Sequence, residues 1–341
     1  MANPERNDIV IEETIRTLIE NYGTDPTSFE GELVRQIIET GLKLLIEGHH
    51  IGQIKVITRA LKEMRYAYRI FNTHQKGPCI SIFGSARTPE EHPDYIAAKE
   101  FSKGMAEKGW MCITGAANGI MKASTEGPDK SQSFGLSIRL PFEAASNSMI
   151  EGDPKLIIFR YFFTRKLMFM SHSQALAAFP GGFGTQDELF EMLTLMQTGK
   201  ANIIPIVLLD GGEGTYWEHW NRYLKENLLE PRWISPEDEH FYYIAPSVHA
   251  AIDHVLQFYH RYHSSRYVKD LFVICLKTPL KSKQIDLLNE KYKRLFVEGG
   301  LKQGEALVEE TEDLTLPRLY FHHTRKDMGL LRMLIDDINH F

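Results

Sequence analysis

From Gly77 to Leu209 the chain alternates short β-rich runs with helix-length connections, and nothing else in its 341 residues limits the fold as strongly. The runs are Cys79–Phe83, Met111–Thr114, Phe134–Ile138, Leu156–Phe159, Ala175–Phe179 and Ile203–Leu209. Connections of this length are crossovers rather than hairpins, so the strands are expected to lie parallel, doubly wound, with helices on both faces. Such a sheet takes its ligand at the carboxyl ends of its strands, where turns lead into helices.

The flanking segments read differently. Ile11, Ile15, Leu18, Ile19 and Tyr22 recur at helical spacing until Gly23-Thr24-Asp25-Pro26 breaks the pattern, and a second helix follows from about Ser28. A third helical stretch aligns Ile54, Ile57, Leu61, Met64 and Tyr68 in one apolar stripe, which needs a domain or a second subunit to cover it. Beyond a helix carrying Val248, Ile252, Val255, Leu256 and Tyr259, the tail reads as strand Leu271–Leu276, a helix over about 281–296, strands near Ala306–Val308 and Leu316–Phe321, and a last helix. The expected organisation is a helical N-terminal extension (1–75), an α/β core (76–263) and a small α+β C-terminal module (264–341), in line with the tendency of chains this long to split their cores.

Composition excludes some partners. With 39 Lys+Arg against 45 Asp+Glu the formal charge is −6, and no basic tract supplies the field that an obligate nucleic-acid binder needs. The opening residues 1–8 carry no apolar h-region, and the apolar run near Ile203–Leu209 is too short to span a bilayer, so the expectation is a cytoplasmic protein with no membrane partner. Cys79, Cys112 and Cys275 are odd in number and sit in strand-like runs, which reads as reduced core thiols rather than a nucleophile. The histidines form no metal-binding spacing, and no metal or cofactor is expected.

Three turns could hold a phosphate: Phe83-Gly84-Ser85-Ala86-Arg87, Thr114-Gly115-Ala116-Ala117-Asn118-Gly119-Ile120-Met121, and Phe179-Pro180-Gly181-Gly182-Phe183-Gly184-Thr185. None matches the dinucleotide fingerprint or the P-loop. The third places three glycines ahead of a helix, where backbone N–H groups and the helix dipole favour an anion. A competing reading makes Thr185-Gln186-Asp187-Glu188 a capping box, with Glu188 merely satisfying a backbone donor.

Pro180-Gly181-Gly182-Phe183-Gly184-Thr185-Gln186-Asp187-Glu188, with Arg165-Lys166 and Met168 upstream, resembles the paired motifs of the LOG (LONELY GUY) family of nucleoside 5′-monophosphate phosphoribohydrolases, long misnamed lysine decarboxylases. The resemblance runs over roughly residues 77 to 262, through Gly84-Ser85-Ala86-Arg87, Gly119-Ile120-Met121, Leu140-Pro141-Phe142-Glu143 and Gln197-Thr198-Gly199-Lys200. The terminal segments resemble those of the longer bacterial members. It implies a Rossmann-like core that releases a base from AMP or a cytokinin ribotide. It further implies Glu188 and Arg165 as catalytic residues, a bidentate Arg165 keeping Glu188 ionised, and substrate held by Gly84, Ser85, Gly115, Gly119, Met121, Lys166, Gly181, Gly182, Gly184 and Thr185. A homodimer or higher homo-oligomer is also implied. The chain departs from the family at Ala116-Ala117, where relatives carry glycines, and at Glu143-Ala144 and Asn147-Ser148. The altered Ala116-Ala117 loop favours an alternative, a non-catalytic nucleotide sensor, against which the retained Arg165 and Glu188 argue for an enzyme. A DNA-processing relative of similar fold fits neither the charge nor the motifs.

Overall fold

The computed structural model describes residues 4–140 and 147–341. Pro141, Phe142, Glu143 and Ala144 of the resemblance therefore lie outside the described residues. The chain divides into two compact units, Met1–Arg65 and Tyr66–Phe341. The first contains α1 (Pro4–Asn21), α2 (Phe29–Ile46) and the start of α3 (Ile51–His74). The break between α1 and α2 is made by Asp25, whose Oδ1 accepts from Thr27 N at 2.8 Å, and by Ser28, whose hydroxyl caps α2 through Gly31 N at 3.0 Å. Of the α1 stripe only Ile15 and Ile19 are buried, while Leu18 and Tyr22 face out. The same holds for α3: Ala60, Ala67, Ile70 and Phe71 are buried, whereas Ile57, Leu61 and Tyr68 of the anticipated stripe are exposed.

The second unit is built on a seven-stranded parallel sheet in the order β4-β3-β2-β1-β5-β6-β7. The strands are β1 (Cys79–Phe83), β2 (Met111–Thr114), β3 (Ser133–Ile138), β4 (Leu156–Phe159), β5 (Ala175–Ala178), β6 (Ile206–Leu208) and β7 (Tyr242–Ile244). This is the expected α/β fold, with one unforeseen strand: β7 has three half-buried residues at the sheet edge, too few for a period to register. Between the strands run α4 (Pro93–Glu107), α5 (Ile120–Glu126), α6 (Phe162–His172), α7 (Phe183–Gln197), α8 (Tyr216–Leu224) and then α9 (Val248–Phe258).

Because strand side chains alternate, Ile80 and Ile82 point to one face, where they meet Tyr95, Phe101 and Met105 of α4, Ile120 of α5 and Val255 of α9 in the main core. On the other face Phe83 meets Phe169 of α6 edge-on at 4.9 Å, and Phe71 stacks on Phe134 at 4.5 Å. Cys79, Cys112 and Cys275 are buried free thiols. Burial pushes Cys79 up to about 12 and Cys112 well above its ordinary value, the opposite of what a nucleophile requires.

The C-terminal residues form a four-stranded antiparallel sheet, β10-β11-β9-β8, from β8 (Tyr262–Val268), β9 (Leu271–Leu276), β10 (Lys302–Gly304) and β11 (Arg318–His322), with α10 (Ser282–Lys291) and α11 (Met328–His340). The strand expected at Ala306–Val308 is instead a turn. Glu310 accepts from Leu307 N at 2.8 Å and closes the chain there, leaving Val308 exposed, and the pairing falls to the preceding Lys302–Gly304. Glu310 is in turn held by both Arg266 and Arg318, and Arg318 is fully buried while donating to the carbonyls of Leu316, Glu312 and Asp313.

Candidate functional site

Sheet order fixes where a ligand can enter. The chain runs outward from β1 through β2 and β3 to β4, then returns to the other side of β1 with β5, so the winding direction reverses between β1 and β5. Helices leave these two strands to opposite faces, which opens a crevice at their carboxyl ends. The three glycine-bearing turns end β1, β2 and β5, and backbone hydrogen bonds join them. Ser85 N donates to Pro180 O at 3.0 Å, and Ile120 N donates to Ser85 O at 3.0 Å.

The glycines are required by these close approaches. A Cβ on Gly181 would lie 2.1 Å from Thr185 Oγ1 and 3.0 Å from Ser85 N, and one on Gly84 would meet the Ile120 side chain at 2.6 Å. Gly119 has φ of +61° and would thrust a Cβ to 2.2 Å from Ser85 O, so both conformation and space exclude a side chain. Gly182 and Gly184 are different: among the described residues, nothing lies within 4 Å of a Cβ built on either. They lie at the head of α7, where the first-turn N–H groups precede the first helical bond, Gln186 N to Gly182 O at 3.2 Å.

The structure decides against the capping box. The N-cap of α7 is Gly182, so Thr185 lies inside the first turn and Glu188 one turn further along the helix. Glu188 is 4% exposed, and its Oε2 has no hydrogen-bond partner among the described residues. Arg165 Nη1 lies 4.0 Å from Glu188 Oε1. The expected bidentate pair is therefore not formed: Arg165 directs Nε to Leu136 O at 2.7 Å and lays its guanidinium over Phe169, 5.1 Å from the ring centre. At that distance attraction from Arg165 and Lys166 does not offset desolvation, and burial pushes the Glu188 carboxyl up to about 7 instead of leaving it firmly ionised.

Gly115 and Met121 belong to the same cluster. A Cβ on Gly115 would lie 2.5 Å from Arg165 Nη2 and 2.7 Å from Met121 Sδ. Lys166 points elsewhere, bridging α6 to α7 through Asp187 at 2.9 Å and Glu191 at 2.6 Å. The departure at Ala116 is now intelligible: it sits at φ of +60°, a left-handed position where glycine is unstrained and an L-residue is not. The loop is held by Thr114 Oγ1, which accepts from Ala116 N at 3.2 Å, and by Asn147, which donates to the carbonyls of Ala116 and Ala117, each at 2.9 Å.

Sequence reasoning missed a polar chain from α8. Tyr216 OH donates to Gly181 O at 2.6 Å and accepts from Gln186 Nε2 at 2.7 Å, while Gln186 Oε1 accepts from Trp220 Nε1 at 2.8 Å. No spacing joins Tyr216 to a turn 35 residues earlier. Only the tertiary fold reveals it.

Residues 104–255 match the family model described as "Possible lysine decarboxylase". That segment contains Arg165, Glu188 and all the substrate-binding candidates except Gly84 and Ser85. No curated protein matches the chain. Among solved structures, the molybdenum cofactor binding protein of Rippkaea orientalis is 18% identical, with 52% of this chain and 95% of that one covered and a TM-score of 0.38. The molybdenum cofactor carrier protein of Chlamydomonas reinhardtii is 22% identical, covers 53% of this chain and 98% of its own, and has a TM-score of 0.38. DNA processing protein A of Helicobacter pylori is 13% identical, covering 56% and 85%, also at a TM-score of 0.38.

Proposed function

We propose that the chain hydrolyses the N-glycosidic bond of a nucleoside 5′-monophosphate, of the AMP or cytokinin-ribotide type, to free base and ribose 5-phosphate. One observation carries this reading: a carboxyl group, Glu188, is buried beside a guanidinium with one oxygen unpartnered among the described residues, on the helix whose first turn carries Gly182 and Gly184. A helix rises about 1.5 Å per residue, so Glu188 lies about 8 Å along α7 from its anion-favouring end. A 5′-phosphate at Gly181, Gly182, Gly184 and Thr185 would then leave the ribose extended toward Glu188. Gly84, Ser85, Gly115, Gly119 and Met121 form the adjoining wall, and Lys166 acts by holding α6 against α7.

In the proposed reaction the C1′–N bond breaks, the base departs with the bonding electron pair and takes up a proton, and water adds to C1′. Glu188 stabilises the cationic ribose and accepts the water proton, and Arg165 orients the carboxylate. A base whose proton affinity lies near neutrality suits that task.

Incubating the protein with a panel of nucleoside monophosphates and assaying free base and ribose 5-phosphate tests the proposal. Release from AMP, with adenosine a much poorer substrate, is the expected result. Binding of nucleotide without release would support the alternative of a nucleotide sensor, which the strained Ala116 in the site wall favours.

A further inference from the structure

We propose that Tyr216, Gln186 and Trp220 form a positioning chain that sets the direction of the Gly181–Gly182 peptide and thereby the phosphate affinity of the turn ahead of α7. The inference rests on reading that turn as the phosphate site. In a trans peptide the C=O and the following N–H point in opposite directions. Holding Gly181 O on the α8 side therefore aims Gly182 N–H to the opposite side, and Tyr216 OH holds that oxygen at 2.6 Å. Gly181 and Gly182 have no side chains to restrict the peptide plane, so this external bond substitutes for the rigidity that a Cβ would give.

The chain of donors has one consistent direction. An indole N–H can only donate, so Trp220 Nε1 fixes the Gln186 amide with its oxygen toward α8. The amide nitrogen must then face Tyr216 and donate to the phenol oxygen, which leaves the Tyr216 proton for Gly181 O. Aromatic packing keeps the source of the chain in place: Trp220 lies edge-on to Trp217 at 5.6 Å and to Tyr242 at 5.2 Å. Trp217 is anchored in turn by its own N–H to Leu209 O at 2.9 Å. Two outcomes follow from this order. Loss of the Tyr216 hydroxyl frees the peptide directly. Loss of the Trp220 N–H frees the Gln186 amide to turn over, presenting oxygen to Tyr216, which then donates to Gln186 instead of Gly181.

The test compares the full-length protein with Tyr216→Phe and Trp220→Phe, both of which keep an aromatic ring. Calorimetric titration measures affinity for ribose 5-phosphate and for phosphate-free adenosine, and thermal unfolding verifies the fold. Both variants should weaken ribose 5-phosphate binding by about ten- to a hundredfold, the scale of one hydrogen bond to an ionised group. Adenosine affinity should be unchanged, and in turnover KM should rise while kcat holds. Wild-type affinity for ribose 5-phosphate in Trp220→Phe, whatever the fate of Tyr216→Phe, would overturn the inference. So would equal loss for both ligands, which marks mere structural damage. A wild-type protein that binds no ribose 5-phosphate would instead overturn the phosphate reading on which the chain depends.

Discussion

Replacing Glu188 with Gln should make the protein more stable and catalytically dead, with a pH signature that belongs to this carboxyl. In the unfolded chain Glu188 titrates at its ordinary value of 4.5, and in the folded chain burial raises it to about 7. Below 4.5 the group is protonated in both states and adds no penalty. Between the two values the unfolded chain has released its proton while the folded chain still holds it, so stability falls as pH rises. Above 7 both states are ionised and the penalty is constant. At about 1.4 kcal/mol per tenfold in proton affinity, the full penalty is about 3 kcal/mol. Gln keeps the shape and pays none of it. Urea denaturation should thus show Glu188→Gln more stable than wild type by about 3 kcal/mol at pH 8, with the gap closing toward pH 4.5. Base release by the wild type should rise with pH through about 7 as Glu188 deprotonates, and the variant should bind AMP without turnover. A stability gap that does not change with pH would refute the argument from burial, and near wild-type turnover by the variant would remove Glu188 from the mechanism.

The remaining expectations concern space, charge and assembly. Gly181→Ala forces a methyl against Thr185 and Ser85 and should lower stability by about 2 kcal/mol, whereas Gly182→Ala meets none of the described residues and should melt like wild type yet bind AMP more weakly. Equal melting points for the two would contradict the geometry. Arg318→Ala leaves the buried Glu310 with fewer partners and should cost about 3–5 kcal/mol in denaturant unfolding, so a loss under about 1 kcal/mol would show that the ion pair holds nothing. We propose that a second copy of the chain covers the exposed Ile57, Leu61 and Tyr68. Light scattering should then give at least twice the 39.2 kDa of one chain, and the single-chain mass would end that proposal.

Most of the parallel sheet was legible because its central strands are buried on both faces and so read as mainly apolar runs. Cys79–Phe83 is buried at every position, and its limits in the structure match those read from the sequence. The short or polar edge strands lack that signal, unlike the edge strand Leu156–Phe159. Tyr242–Ile244 and Lys302–Gly304 are short and half-exposed, and Tyr262–Val268 mixes Ser, His and Arg with its apolar residues, so pairing partners rather than composition define them. In the site, glycine spacing pointed to the three turns, but motif position could not tell a helix cap from a buried carboxyl. That distinction depends on Gly182 being the N-cap, which three glycines in four residues leave open. Likewise the character of Arg165 as a cation was plain. Its distance from Glu188 depends on the Leu136 carbonyl that draws Nε away, a contact 29 residues off in sequence.

The seam between β1 and β5 also orders events during synthesis. β1 and its neighbours β2, β3 and β4 emerge from the ribosome in sequence, each beside a partner already made, so half of the sheet can zip as it appears. The other flank of β1 must wait for Ala175–Ala178, whose register sets Ile80 opposite Ala175 and Phe83 opposite Ala178. Until then Ser85 has no Pro180 carbonyl to hold it, and Glu188 has not been placed beside Arg165. The nascent chain thus carries the open, apolar flank of β1 through the synthesis of four connections. The pairing that finally covers that edge is the same one that completes the site, so the chain cannot display an intact site while that edge is still open.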